Sequence, residues 1–171
     1  MKISVPALSS DLFCLMLTNL AAFLEKGRQH AVTKNFEPEV LINSRLAPDM
    51  LPLVRQVQIA CDMAKGSVAR LAGQEPPRFE DNETSIDELR ARIGRTIDYL
   101  KSVPASAFEG SDARDIKVPA GERTLEFQGL DYLRKWAIPN VFFHITTAYD
   151  ILRHNGVELG KRDFLRAGRD A

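Results

Sequence analysis

The sequence predicts an all-α protein: an antiparallel four-helix bundle with a long first connection and a small β-hairpin between helices three and four. Four segments repeat apolar residues at three- and four-residue steps, the period of one helix face. The short runs rich in β-formers lie together around a single turn. The chain has 171 residues, 44% hydrophobic and 27% charged, enough for one sizeable core. Residues 1–171 are therefore read as one domain with a frayed tail over 165–171.

Helix one is expected over 5–26, with Leu8, Leu12, Leu15, Met16, Asn19, Leu20 and Phe23 at helical spacing. Ser4 is its cap, Pro6 lies in the first turn and Gly27 is its stop. The stretch 28–47 reads as a long connection with at most one helical turn at Val40, Leu41 and Ile42, of a length that tends to be functional or to cover a surface. Pro48 opens helix two over 49–72, whose inward face is Leu53, Val57, Ala60, Cys61, Ala64, Val68 and Leu71. Two prolines and several acids make 74–83 a loop. Thr84 with Asp87 three residues on caps helix three, which carries Leu89, Ile93, Ile97 and Leu100 and ends near Pro104. Ile116 to Val118 and Thr124 to Phe127, around a Pro-Ala-Gly turn, form the hairpin, which is marginal alone and must lean on the helices or on a second subunit.

Helix four, over 129–156, holds the only tryptophan and two of the three histidines. Its apolar face is Leu130, Leu133, Trp136, Ala137, Val141, His144, Ile145, Ala148, Ile151 and Leu152. Asp131 suits its positive end, and Arg153, His154 and Gly156 form its stop. Pro139 lacks an N–H and crowds the carbonyl four residues back, so a kink is expected near 135–137, with Asn140 and His144 one turn apart just beyond it. Residues 157–171 read as an extended tail held by Val157, Leu159, Phe164 and Leu165.

Lys plus Arg and Asp plus Glu number 23 each without blocks of one sign, so charge makes no case for nucleic acid or an anionic membrane as partner. Cys14 and Cys61 lie in apolar helical patterns without metal-type spacing and are read as buried free thiols. The N-terminus has no continuous apolar stretch of signal type, and Thr18 and Asn19 break the run over 12–24. A soluble, cytoplasmic protein is expected. The chain has no phosphate-binding G-x-x-x-x-G-K-[ST], G-x-S-x-G elbow or H-E-x-x-H.

Through LINSRLAPDMLPLVRQVQIACDMAKG and PNVFFHITTAYDILRHNGVELGKRDFL, the chain resembles the DinB/YfiT-like superfamily of metal-binding bundles, and more closely an uncharacterised DUF-type bacterial branch of it. The resemblance implies a cytoplasmic, dimeric bundle and supplies no activity. Members of the wider group bind a divalent metal through one His of helix two and two His spaced four apart on helix four. His144 matches the second of that pair, Asn140 replaces the first, and helix two offers only Gln56, Gln58 and Asp62. Neutral amides are poor ligands for zinc or nickel. No cofactor is therefore expected, zinc or nickel at a degenerate site of His144 and Asp62 being the alternative.

The candidate ligand pocket is Asp62, Gln58, Asn140, His144 and Tyr149. His144 is read either as a half-buried His bonded to Asn140 or Asp62, or as a ligand or acid/base group. Asp62, within an apolar face, must be solvated, paired with a cation or bonded to His144. Tyr149 either lines the cavity or belongs to the core, and Trp136 is a packing anchor near the kink. The expected function is that of an uncharacterised bundle, homodimeric, with a small-molecule pocket near His144. The alternatives are a metal- and thiol-dependent transferase or isomerase using His144, Asp62 and Gln58, and a non-catalytic interaction module. The homodimer follows from Phe13, Leu17, Phe142 and Phe143, which lie off the bundle stripe.

Overall fold

The computed structural model describes residues 4–165; the expected fraying at 166–171 lies outside them. Helix α1 spans Ala7–Lys34 and opens with a π-helical turn, Ala7–Asp11. It is followed by a single turn α2 (Glu39–Ile42), α3 (Leu53–Leu71) and α4 (Ile86–Ser102). The hairpin β1 (Asp115–Ala120) and β2 (Arg123–Gln128) leads into α5, three continuous stretches: Gly129–Tyr132, a π-helical Leu133–Ala137 and Ile138–His154. A last turn, α6, is Lys161–Phe164.

Contacts between the helices fix their order and direction. Glu25 of α1 meets Arg90 of α4 at 3.0 Å, and Cys14 lies in the field of Lys101, so α1 and α4 run antiparallel. Gln56 meets His144 and Ser67 meets Tyr132, so α3 and α5 are antiparallel as well. The other two neighbouring pairs are parallel. Asp62 of α3 reaches Arg92 of α4 while Gln74, just beyond α3, reaches Tyr99. Phe23 of α1 packs on Tyr149 of α5, and Gly27 on Leu152. The expected bundle is thus present with this refinement: a parallel step from α3 to α4, which obliges residues 72–85 to return along the bundle before α4 can begin.

The expected inward face of α3 is buried throughout. Phe13 and Leu17 are fully buried too, a correction to their expected position off the core stripe; Leu15 is the exposed apolar residue of that part of α1. By length and composition α1 is the one described helix apolar enough to cross a membrane, and Phe13, Leu17, Leu20, Phe23 and Leu24 spend that apolarity in the core. Asn19 is buried and donates to the Phe164 carbonyl at 2.7 Å, tying α6 to α1.

Several boundaries differ from expectation for local reasons. Gly27 does not stop α1, which continues to Lys34 and ends where Asn35 takes a left-handed conformation with φ 58°; Gly27 is buried where a Cβ would lie 3.0 Å from Leu152 Cδ2, so its smallness serves packing. The connection shortens accordingly, with Leu41 and Ile42 of α2 buried. Helix α3 begins after Pro52 rather than Pro48, since a residue preceding proline is pushed out of helical conformation. The cap of α4 is Ser85, one residue later than expected. Ser85 Oγ accepts the Glu88 N–H at 3.2 Å, and Glu88 Oε2 accepts the N–H of Ser85 at 3.1 Å and of Thr84 at 2.6 Å. At the other end of the chain, Ser4 Oγ accepts the Ala7 N–H at 3.3 Å, as the sequence suggests.

Candidate functional site

The distortion of α5 is a π-helical turn, Leu133–Ala137, immediately before Pro139. A π turn is a recognised way to take a proline into a helix, because it moves the carbonyl that the ring would strike and leaves a side chain to complete the ladder. Asn140 does so here, donating to the Trp136 carbonyl at 2.8 Å. Trp136 itself is half-buried, its ring 6.0 Å from Phe127 of β2, so it fastens the hairpin to the distorted turn. Asn140 is committed to the backbone and does not orient His144.

His144 is oriented by Gln56. Its Nδ1 lies 2.8 Å from Gln56 Oε1, and Gln56 Nε2 donates to the Leu51 carbonyl at 3.0 Å. Gln56 is buried and His144 half-buried; burial holds the imidazole pKa below its ordinary value of 6.5. The exposed Phe143 ring stands nearly perpendicular to the imidazole, centroids 5.2 Å apart.

Asp62 and Gln58 belong to a second cluster, on the flank of α3 that faces α4. Arg92 is completely buried there and binds Asp62 at 2.8 Å, Asp81 at 2.9 Å and Glu83 at 3.0 Å. Lys65 adds a contact to Asp62 at 2.7 Å. Arg55 bridges Gln58 and Asp81, and Gln58 Nε2 donates to the buried Glu83 at 2.9 Å. Phe79 lies under Lys65, Arg92 and Arg95, with cation-to-centroid distances of 4.9, 5.8 and 5.3 Å. Phe79, Asp81 and Glu83 all sit on the returning segment 72–85, so this cluster binds that segment to α3 and α4. Asp62 is thus paired with cations, one of the settings the sequence allows it. Tyr149 goes to the aromatic packing between α1, α5 and α6, 5.6 Å from Phe23 and 6.0 Å from Phe164.

The five expected pocket residues therefore occupy four settings, and the partner of His144 is Gln56. The available signal was weak: Gln56 is one of several polar residues in the helix-two pattern, and nothing local says which flank faces α5. The residues around His144 do not fit a metal. One imidazole nitrogen is taken by a neutral amide, no carboxylate or thiol bonds to the pair, and among the described residues no group of three or more His, Cys, Asp or Glu is placed to hold an ion. The Cys61 thiol is fully buried and pushed up to about 12 by that burial, which leaves it protonated and unreactive. Three shallow recesses lie elsewhere. One of about 460 Å³ is lined by Lys26, His30, Lys34 and Glu158, among others; two of about 370 and 230 Å³ lie along the hairpin and share Asp115, Ile116 and Lys117.

Comparison with known proteins bears on the family and the fold. The model of the family described as a domain of unknown function, DUF1993, matches residues 7–165. A crystal structure of a DinB family member protein from Shewanella denitrificans is 44% identical, with a TM-score of 0.90, covering 98% of this chain and 94% of that one. A comparison with curated proteins finds no match.

Proposed function

Because the chain belongs to the DUF1993 family, within the DinB-like helical bundles, we propose that it is a bundle whose metal-type position has become a small-molecule contact at His144, working as a homodimer in the cytoplasm. The observation that carries the reading is the chain from Leu51 through Gln56 to His144: an amide fixes the imidazole while solvent still reaches the ring. A polar pair of one buried and one half-buried side chain on the flank of an apolar bundle is retained against its desolvation cost, a common mark of a binding position.

Two measurements test this. Protein purified without added metal is expected to carry far less than one zinc, nickel or manganese per chain. A small-molecule library followed through the backbone amide signals of residues 140–148 is expected to yield binders whose shifts disappear in His144→Ala. Near-stoichiometric metal lost in that variant would instead support a metal-dependent transferase or isomerase.

A further inference from the structure

We propose that His144 is a fixed-tautomer hydrogen-bond acceptor, with Nδ1 protonated and Nε2 bare, which selects neutral ligand groups bearing an O–H, S–H or N–H and turns away anions. This deepens the small-molecule reading above and rests on it. The inference starts at a group with no choice. The Leu51 carbonyl can only accept, so the Gln56 atom 3.0 Å away is the amide nitrogen and the other terminal atom is the oxygen. That oxygen also can only accept, and it lies 2.8 Å from His144 Nδ1, so Nδ1 carries the hydrogen. A neutral imidazole has one N–H, which leaves the lone pair on Nε2.

The setting keeps the ring neutral and that lone pair available. Burial disfavours the imidazolium. Among the described residues Nε2 makes no hydrogen bond, and it is not one of the polar atoms sealed from solvent without a partner. No Lys or Arg bonds to Gln56 or His144, and the neighbouring ring is Phe143. An anion here would face the Nε2 lone pair with no Lys or Arg bonded to the pair, and would lose hydration without compensation. A neutral donor with an apolar body satisfies that lone pair and the Phe143 ring.

The full chain with ¹⁵N-labelled histidine provides the test. Near pH 7.5 a long-range ¹H–¹⁵N spectrum is expected to show Nδ1 protonated and Nε2 with a free lone pair. The reverse pattern would overturn the assignment while leaving the small-molecule reading standing. Phenol at millimolar concentration is then expected to shift Nε2 at least fivefold more than equimolar benzoate. Equal shifts, or larger ones with benzoate, would overturn the selectivity. Silence from both would overturn the selectivity and count against a ligand at His144 as well. In Gln56→Glu, nearly the same in shape, the carboxylate favours the imidazolium, Nε2 becomes a donor, and the preference is expected to reverse toward benzoate; an unchanged preference would show that Gln56 does not set it.

Discussion

Truncating Arg92 strips Asp62, Asp81 and the buried Glu83 of their shared cation at once, and leaves Glu83 only the longer ion pair with Arg95 at 3.5 Å. Removing one partner of a buried ion pair costs about 3–5 kcal/mol, so Arg92→Ala is expected to lower the chemical-denaturation midpoint by that equivalent at neutral pH; a change under ~1 kcal/mol would show that Glu83 is neutralised some other way. The same part of α3 shows what a sequence can and cannot resolve. Helix two's inward face was legible residue by residue, because burial follows a simple period. Gln56 and Gln58 are only two positions apart, but that is about 200° around a helix, and so one faces His144 across α5 while the other faces Glu83 on the returning segment. Choosing between them requires knowing which helix lies on each side, and that depends on contacts far apart in the chain.

At the scale of elements, caps and breakers were the legible part and packing decided the exceptions. Pro139 announced a distortion, found as the π turn Leu133–Ala137, whereas Gly27 looks like a stop and is a close-packing site within α1. Gly129 joins β2 to α5, and a Cβ there would lie 1.7 Å from the Ser111 carbonyl oxygen, so backbone would have to move. Gly129→Ala is expected to cost about 1–3 kcal/mol and to perturb the hairpin, measurable as a lower Tm with altered amide shifts at Ile116 and Phe127; an unchanged melting curve would show the junction to be freely deformable. Glu25 joins α1 to α4: it accepts from Arg28 at 2.7 and 3.1 Å and from Gln29 at 2.8 Å, and pairs with Arg90 at 3.0 Å. These bonds, the Arg28 one foremost, hold its pKa at about 2, below the ordinary 4.5. A carboxylate depressed in the fold adds stability above pH 4.5 that is lost as pH falls from 4.5 toward 2. Glu25→Gln should therefore be less stable than the parent at pH 7 and show a shallower decline over that acid window in urea titrations. Parallel acid limbs would mean that Glu25 is as easily protonated folded as unfolded.

For the whole molecule, the question is what covers the apolar surface that the bundle leaves outside. The expectation of a homodimer drew on Phe13, Leu17, Phe142 and Phe143, and the core takes the first two. Phe142 is half-buried and Phe143 is 57% exposed, among the larger apolar exposures of the described chain. Phe143 stands against His144, and Leu51, itself 47% exposed, is tied to His144 through Gln56. An aromatic and a leucine thus flank one polar pair, an arrangement in which burying the apolar groups against a second copy leaves the imidazole at the rim of the interface. Light scattering at micromolar concentration is accordingly expected to give twice the 19.1 kDa of one chain. Phe143→Glu places a charge on that face without disturbing the core and should weaken association at least tenfold, with the far-UV spectrum unchanged. A mass near that of one chain for the parent would remove the homodimer. A parent dimer that survives Phe143→Glu would place the interface on another face, with Leu15 and Val32 of α1 the next apolar residues to charge.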